Sequence, residues 1–283
     1  MQLVAGLVSI YIPTRDRFDL LKRAVNSCLQ QDYPNFELII ADDGSSAEVQ
    51  QQIQQLATTD HRIKVVLAGQ PQGACAARNQ AIAKASGEFI TGLDDDDEFT
   101  PSRIRLFVEQ WQKMPDVAYL CANADIIVAP GKALHMKKRA QSITLQQLLH
   151  TNLVGNQLFT RTEYLRGIGG FDEQLQARQD YETWLRLSAQ YGSGYRIKDV
   201  TYLVHQDHNL ERISNSSRRV QGYDYVYKKH QDKMNSAQKA SHKFYRCLYT
   251  ENPTLLALLV KTPLRLWPVA IKVISLRMLG YKV

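Results

Sequence analysis

The stretch Glu88-Phe89-Ile90-Thr91-Gly92-Leu93-Asp94-Asp95-Asp96-Asp97-Glu98 runs an apolar segment of strand length straight into five acids. A short apolar run bounded by polar residues reads as a buried strand, here Glu88–Leu93. Five successive carboxylates repel one another at a strand end unless a cation joins them. Hard divalent ions take oxygen ligands, and Mg2+ is typically held by one or two carboxylates plus substrate phosphates. Asp94 and Asp96 alternate along what reads as extended chain, so both are expected to face one ion, with Asp97 a candidate helix cap. An acidic run also serves elsewhere as a solvated face or as a partner for a helix dipole.

Upstream the same alternation repeats. Leu7–Ile12, Phe36–Ala41 and Ile63–Leu67 read as strands; Phe18–Gln31, Ala47–Ala57 and Ala74–Ala85 read as helices. Downstream, Pro101–Lys113 reads as a helix with proline in its first turn, and Val117–Val128 as a strand. Strands separated by helices of about 10–15 residues predict an α/β fold, a Rossmann-like and mainly parallel sheet flanked by helices. Asp42-Asp43-Gly44-Ser45 and Asp94–Glu98 both follow a strand directly, and so fall at the carboxyl edge where such sheets bind ligands. Asp43 can accept the N–H of a uracil ring or a ribose hydroxyl. Arg78 can meet a base or phosphate, or make a surface ion pair. Beyond residue 130 the pattern loosens into a turn at 167–170, a helix over Tyr181–Tyr191 and a short strand over Tyr202–His205.

Val8-Ser9-Ile10-Tyr11-Ile12-Pro13-Thr14-Arg15-Asp16-Arg17, Ala41–Ser45, Ala77-Arg78-Asn79 and Leu93–Asp97 occur in that order, followed by Gly169-Gly170-Phe171-Asp172-Glu173 and Gln179-Asp180-Tyr181-Glu182-Thr183-Trp184-Leu185-Arg186-Leu187. Together they resemble the family 2 glycosyltransferases, which have the nucleotide-diphosphosugar transferase (GT-A) fold, over about residues 6–215. The resemblance implies a catalytic domain at 1–215 and a basic helical extension at 216–283. It implies that Pro13 and Arg15 shape the diphosphosugar pocket, that Asp43 contacts the base and that Arg78 holds the nucleotide. Asp94 and Asp96 match the Asp-x-Asp element, with Asp95 between them, which meets the ribose and holds Mn2+ or Mg2+ on the diphosphate. Asp180 matches the general base, and one base opposite the leaving group implies inversion at the anomeric carbon. The sequence departs from the family at Gln179, where a glutamate often stands; a neutral residue there removes one like charge beside Asp180. In the segment 205–214, similar to a late family element, His208 is expected to reach the metal and Arg212 the phosphate.

Composition bounds the rest. The chain has 283 residues, 44% hydrophobic and 22% charged, which fits a globular protein with a sizeable core and excludes a disordered or collagen-like one. Cys28, Cys75, Cys121 and Cys247 form no Cys-x-x-Cys pair, which argues against a zinc ribbon and fits a reducing compartment. There is no run of 18 apolar residues, and Met1–Pro13 carries no cation, so it reads as a first strand rather than a leader. No Gly-x-Ser-x-Gly, P-loop or Gly-x-Gly-x-x-Gly occurs, which argues against Ser/His/Asp hydrolysis, P-loop hydrolysis and Rossmann dehydrogenation.

Charge divides the chain. Residues 218–283 hold 13 Lys+Arg against 3 Asp+Glu, net +10, while residues 1–217 hold 22 against 25, net −3. Lys261, Arg265 and Lys272 fall within about 40° of one another at 100° per residue, beside Leu264, Trp267, Ile271 and Ile274. Such a tail is expected to meet an anionic membrane surface, although Arg277 falls near its apolar edge and Pro263 and Pro268 interrupt the helix; docking on the catalytic domain is the other reading. Nucleic acid is the poorer match, since the body is slightly acidic and the tail has no aromatic stacking platform.

The expected activity is therefore metal-dependent transfer of a sugar, UDP-linked by resemblance, from a nucleoside-diphosphate sugar donor to a saccharide or lipid-linked acceptor. The expected setting is surface polysaccharide or lipopolysaccharide synthesis, cytoplasmic and peripheral on the inner face of a bacterial inner membrane. Two rivals are a metal-dependent nucleotidyltransferase, which has no evident use for Asp180, and a non-enzymatic membrane-surface module.

Overall fold

The computed structural model describes residues 2–135, 138–206, 218–250 and 263–278. The chain divides into two compact units, one of residues 1–145 and 154–210, the other of 146–153 and 211–283.

The first unit opens with β1 (Val4–Thr14), α1 (Phe18–Leu29), β2 (Phe36–Asp42), α2 (Ala47–Ala57), β3 (Ile63–Leu67), α3 (Ala74–Lys84) and β4 (Gly87–Gly92). It continues through β5 (Glu98–Phe99), α4 (Arg103–Lys113), β6 (Tyr119–Ala129), β7 (Lys132–His135), β8 (Gln141–Ile143), β9 (Phe159–Arg161), α6 (Thr162–Gly167), α7 (Gln179–Tyr191) and β10 (Gly194–His205), with the short α5 (Leu145–Leu148) before β9. The main sheet path is β3-β2-β1-β4-β9-β6-β10-β5. β3, β2, β1 and β4 run parallel, as do β6 and β10; β9 is antiparallel to both of its neighbours. The chain moves outward from β1 to β3 and then crosses back to β4, so the strand order reverses between β2 and β4. The loops leaving β1 and β4 therefore meet at the carboxyl edge.

Apolar side chains of β1 (Val8, Ile10, Ile12) pack with Leu21, Ala24, Val25 and Cys28 of α1 and with Ile104, Phe107 and Trp111 of α4. The α1 residues recur at helical spacing, which turns one face of that helix onto the sheet. The larger of them, such as Leu21, Val25 and Phe107, each contribute roughly 1.5–3 kcal/mol on burial.

Several expectations change. The strand read over Tyr202–His205 is the end of a twelve-residue strand, and β9 had no sequence counterpart. Asp94–Asp97 is a β-turn rather than extended chain, closed by the Asp97 N–H on the Asp94 carbonyl at 3.1 Å. Asp97 caps no helix: its Oδ1 accepts the His205 N–H at 3.0 Å, and α4 starts later, after Ser102.

The second unit holds α8 (Arg218–His230), a 3-10 turn (Gln231–Lys233), α9 (Ser236–Thr250), a 3-10 turn (Leu264–Leu266) and α10 (Trp267–Met278). Its core is Phe244 and Leu248 of α9 against Leu266, Ala270 and Val273. Gln238 donates to the Gln146 carbonyl at 2.9 Å, tying residues 146–153 into this unit.

Candidate active site

The acids of the turn are held by cations and hydrogen-bond donors from several elements, with Arg17 shared by two of them. Asp94 Oδ1 pairs with Arg78 Nη2 at 3.0 Å and accepts from Gln157 Nε2 at 3.1 Å. Asp95 turns the other way, accepting the Thr14 hydroxyl at 2.8 Å with Arg17 at 3.4 Å. Asp96 Oδ2 lies 3.8 Å from Arg17, and its carbonyl accepts from Arg23 at 2.6 Å. Burial pushes Asp95 up to about 6, against the pull of Arg17, with Asp96 and Asp94 adding to the rise. Burial, then the charges of Asp96 and Asp94, hold Asp97 well above the usual carboxylate range.

The turn also hangs from β10. The Tyr202 hydroxyl accepts the Asp94 N–H at 3.3 Å and bonds the Asp97 carboxyl. Beneath Tyr202 lies Arg103, fully buried among the rings of Phe99, Phe107 and Tyr202 at 4.4, 4.7 and 5.3 Å, with Nη1 on Thr201 Oγ1 at 2.8 Å.

Asp180 stands in the first turn of α7. It is not the cap: Arg178 takes that place in a left-handed conformation, φ +61°. Burial pushes Asp180 up to about 7, with Arg78 opposing and Asp94 adding to the rise. Arg78 is thus the hinge of the site. Burial works against its charge, but Asp94 and Asp180 hold it protonated, and its Nη1 donates to Gln179 Oε1 at 3.1 Å. Gln179 is thereby an acceptor for Arg78, and its own amide donates to the Leu175 carbonyl at 3.1 Å. The rise at Asp180 comes first from burial and does not need a glutamate neighbour.

At the carboxyl ends of β1 and β2, Pro13 is buried opposite Ala41. Arg15 follows it with 53% of its side chain exposed. Asp43 Oδ1 accepts the N–H groups of Gln72 and Gly73 at 2.7 and 2.9 Å, which fixes the loop before α3 over the end of β2. That loop passes so close to Gly44 (φ +72°) that a Cβ there would stand 2.5 Å from the Gln70 carbonyl carbon. Asp42 holds its own loop through Ser45 and Gln50. His208 and Arg212 lie outside the described residues. His205, the other histidine of that segment, has Nε2 2.7 Å from Glu98 Oε1.

The sequence reading missed Gln157, Tyr11, Thr14, Arg17 and Tyr202. Gln157 precedes β9 and bridges the Tyr11 hydroxyl (3.1 Å) to Asp94. The only trace of this in the sequence is Gly92, where a Cβ would overlap both Gln157 Oε1 and the Tyr11 ring. Asn79 holds the Gly-Gly-Phe turn, accepting from Phe171 N at 2.7 Å and donating to its carbonyl at 2.9 Å.

Among the described residues no three His, Cys, Asp or Glu side chains converge as a metal cage. The turn nevertheless has the donor chemistry for a hard cation that takes part of its shell from a diphosphate. Asp94 and Asp96 keep 23% and 14% of their side chains open to solvent, whereas Asp95 and Asp97 are closed off by the partners above.

A mainly parallel sheet with one short antiparallel strand between β4 and β6, and an acidic turn at its carboxyl edge, is the GT-A glycosyltransferase fold. The chain belongs to glycosyl transferase family 2, whose family model matches residues 9–168. It is 38% identical over 243 residues, 84% of this chain and 86% of the relative, to WcaA of Escherichia coli (strain K12), a glycosyl transferase named for colanic acid biosynthesis. It is 29% identical over 184 residues, 64% of this chain and 69% of the relative, to Escherichia coli WfgD, a UDP-Glc:alpha-D-GlcNAc-diphosphoundecaprenol beta-1,3-glucosyltransferase. S. aureus TarS 1-349 in complex with UDP-GlcNAc superposes with a TM-score of 0.69 at 18% identity, over 94% of this chain and 79% of that one. The mannosyltransferase PcManGT of Pyrobaculum calidifontis, in complex with GDP-Man and Mn2+, superposes with a TM-score of 0.62 at 18% identity, over 98% and 76%.

Proposed function

We propose that the chain transfers a sugar from a nucleoside-diphosphate sugar, UDP-linked by preference, to a saccharide or lipid-linked acceptor, with inversion at the anomeric carbon. One observation carries this reading: Arg78 joins Asp94 of the acidic turn to the surroundings of Asp180, so a donor-binding acid and a proton-accepting carboxyl share one cation. WfgD, named for an undecaprenol-diphosphate acceptor, and WcaA, named for a polysaccharide, support an acceptor of this kind. In this reading the reaction serves surface polysaccharide or lipopolysaccharide synthesis at the cytoplasmic face of a bacterial inner membrane.

Asp180, once ionised, takes the proton of the acceptor hydroxyl as that oxygen bonds to the anomeric carbon and the bond to the diphosphate breaks. A base titrating near neutrality suits this step, because it is ionised often enough and still basic enough to take the proton. Pro13, Arg15 and the loops fixed by Asp43 shape the nucleotide side. Asp94 and Asp96 would hold Mn2+ or Mg2+, with His208 as a further candidate ligand and Arg212 a phosphate contact. When bound, such an ion stabilises negative charge on the departing nucleoside diphosphate.

The test is calorimetric titration of UDP, GDP and CDP, with and without Mn2+, on the wild type and Asp96→Ala, followed by product analysis with the preferred donor. Metal-dependent binding of one nucleotide, weakened in the variant, and release of the nucleoside diphosphate with an inverted linkage by NMR are expected. Pyrophosphate release would replace this reading with nucleotidyl transfer. No nucleotide binding by the folded protein would remove both.

A further inference from the structure

The last 32 residues, 252–283, contain five basic residues (Lys261, Arg265, Lys272, Arg277, Lys282) and no acid. In the described part of this segment the apolar side chains divide between two faces. Leu266, Ala270 and Val273 are buried against Phe244 and Leu248. Leu264 and Ile271 face the other way, 72% and 46% exposed, with exposed Pro268 between them. Spacings of four and three residues place Leu264, Pro268 and Ile271 along one stripe, and exposed Lys272 adjoins it. Among the described residues the other large apolar side chain so exposed is Val4 alone. Two of three such residues thus fall within eight positions of one cationic segment.

We propose that this stripe, Leu264–Pro268–Ile271 flanked by Lys272, docks on the surface of an anionic lipid bilayer. The inner face of α10 is already occupied by α9, so the outer apolar residues are not needed for the unit's own core. Large apolar side chains left in water cost free energy that insertion at the acyl boundary recovers, and adjacent cations meet lipid phosphates. The single sign of charge selects the occupant. A second copy docking through the same stripe would set cation against cation, whereas the headgroups of an anionic bilayer present the opposite sign across the whole contact. No helix among the described residues is long and apolar enough to cross a membrane. The inference is independent of the donor chemistry above.

The full-length protein is co-sedimented with vesicles of phosphatidylcholine carrying roughly 30% phosphatidylglycerol, and with pure phosphatidylcholine vesicles. Binding is expected to be at least about tenfold tighter to the anionic vesicles and to weaken as salt is raised. Leu264→Ser and Ile271→Ser are each expected to weaken it by about tenfold, and Lys272→Gln by about fivefold. The variants should keep the wild-type melting temperature and nucleotide titration, which separates this result from a failure of the donor site. Equal binding to both vesicles, no binding to either, or an unchanged affinity in the Leu264→Ser/Ile271→Ser double variant would each overturn the proposal.

Discussion

Two Arg–Asp pairs of the same chemistry set the two units apart. In the second unit Arg246 reaches Asp224 at 2.6 Å, with 35% and 56% of the side chains exposed. In the first unit Arg78 reaches Asp94 at 3.0 Å, with 8% and 23% exposed. The shorter pair is the less consequential one, because water screens it and two long side chains lose freedom to make it. The longer pair sits where neither charge can be left alone, with a second carboxyl, Asp180, close by. A buried ion pair is weak evidence for stability, and beside carboxyls with raised pKa values it marks a candidate functional site. In the first unit an arginine is enclosed with the acid it pairs, while the corresponding pair of the second unit stays open to water.

The largest effect expected from this contrast is on the reaction. Asp180→Asn should lower the transfer rate by about 10²- to 10⁴-fold, measured as nucleoside-diphosphate release under saturating donor. The same variant should melt no lower than the wild type, and higher at pH 8. A carboxyl raised to about 7 in the folded chain binds a proton that the unfolded chain has already released. Its presence therefore costs stability as pH rises from the unfolded value, near 4, through 7, and an amide removes that cost.

Next is the paired cation. Arg78→Gln leaves Asp94 and Asp180 without their shared partner, and by chemical denaturation should cost about 3–5 kcal/mol. Acid dependence comes third. kcat/KM should fall about tenfold per pH unit below about 7, and Asp94→Asn, which removes a like charge from beside Asp180, should move that limb to lower pH. A limb that stays in place would sever the link between the acidic turn and the base.

Smaller still is Tyr202→Phe. It keeps the ring over Arg103 but removes the hydroxyl joining Asp94 N–H to Asp97, so about 1 kcal/mol of stability and a raised donor KM are expected, with kcat changed less. Smallest is Arg246→Gln, within about 0.5 kcal/mol by the same denaturation assay; a cost like that of Arg78→Gln would erase the contrast between the pairs.

The elements most legible in the sequence are those with a strong period and a clear terminus. α2 and β3 fall where the apolar spacing puts them, Ala47–Ala57 and Ile63–Leu67, and β2 runs one residue beyond its expected end, into Asp42. β9 was invisible because three residues carry no period, and its pairing with β4 and β6 is a long-range choice. The alternation of Asp94 and Asp96 was read on extended chain, whereas a turn hydrogen bond bends that chain. The pair still keeps the open positions, because Thr14 and Arg17 draw Asp95 inward while His205 and Tyr202 hold Asp97.

The alternation of strands and helices, the acids at two strand ends and the basic final segment are local patterns of polarity and charge, legible along the chain. Folding was needed to set Arg78 beside Asp94 and Asp180, to bring Gln157 to Asp94 from 63 positions away, and to leave Leu264 and Ile271 outside their own core. Those outcomes depend on which strands pair and which helix faces meet, and side chains distant along the chain become neighbours only when burial of the rest forces them together.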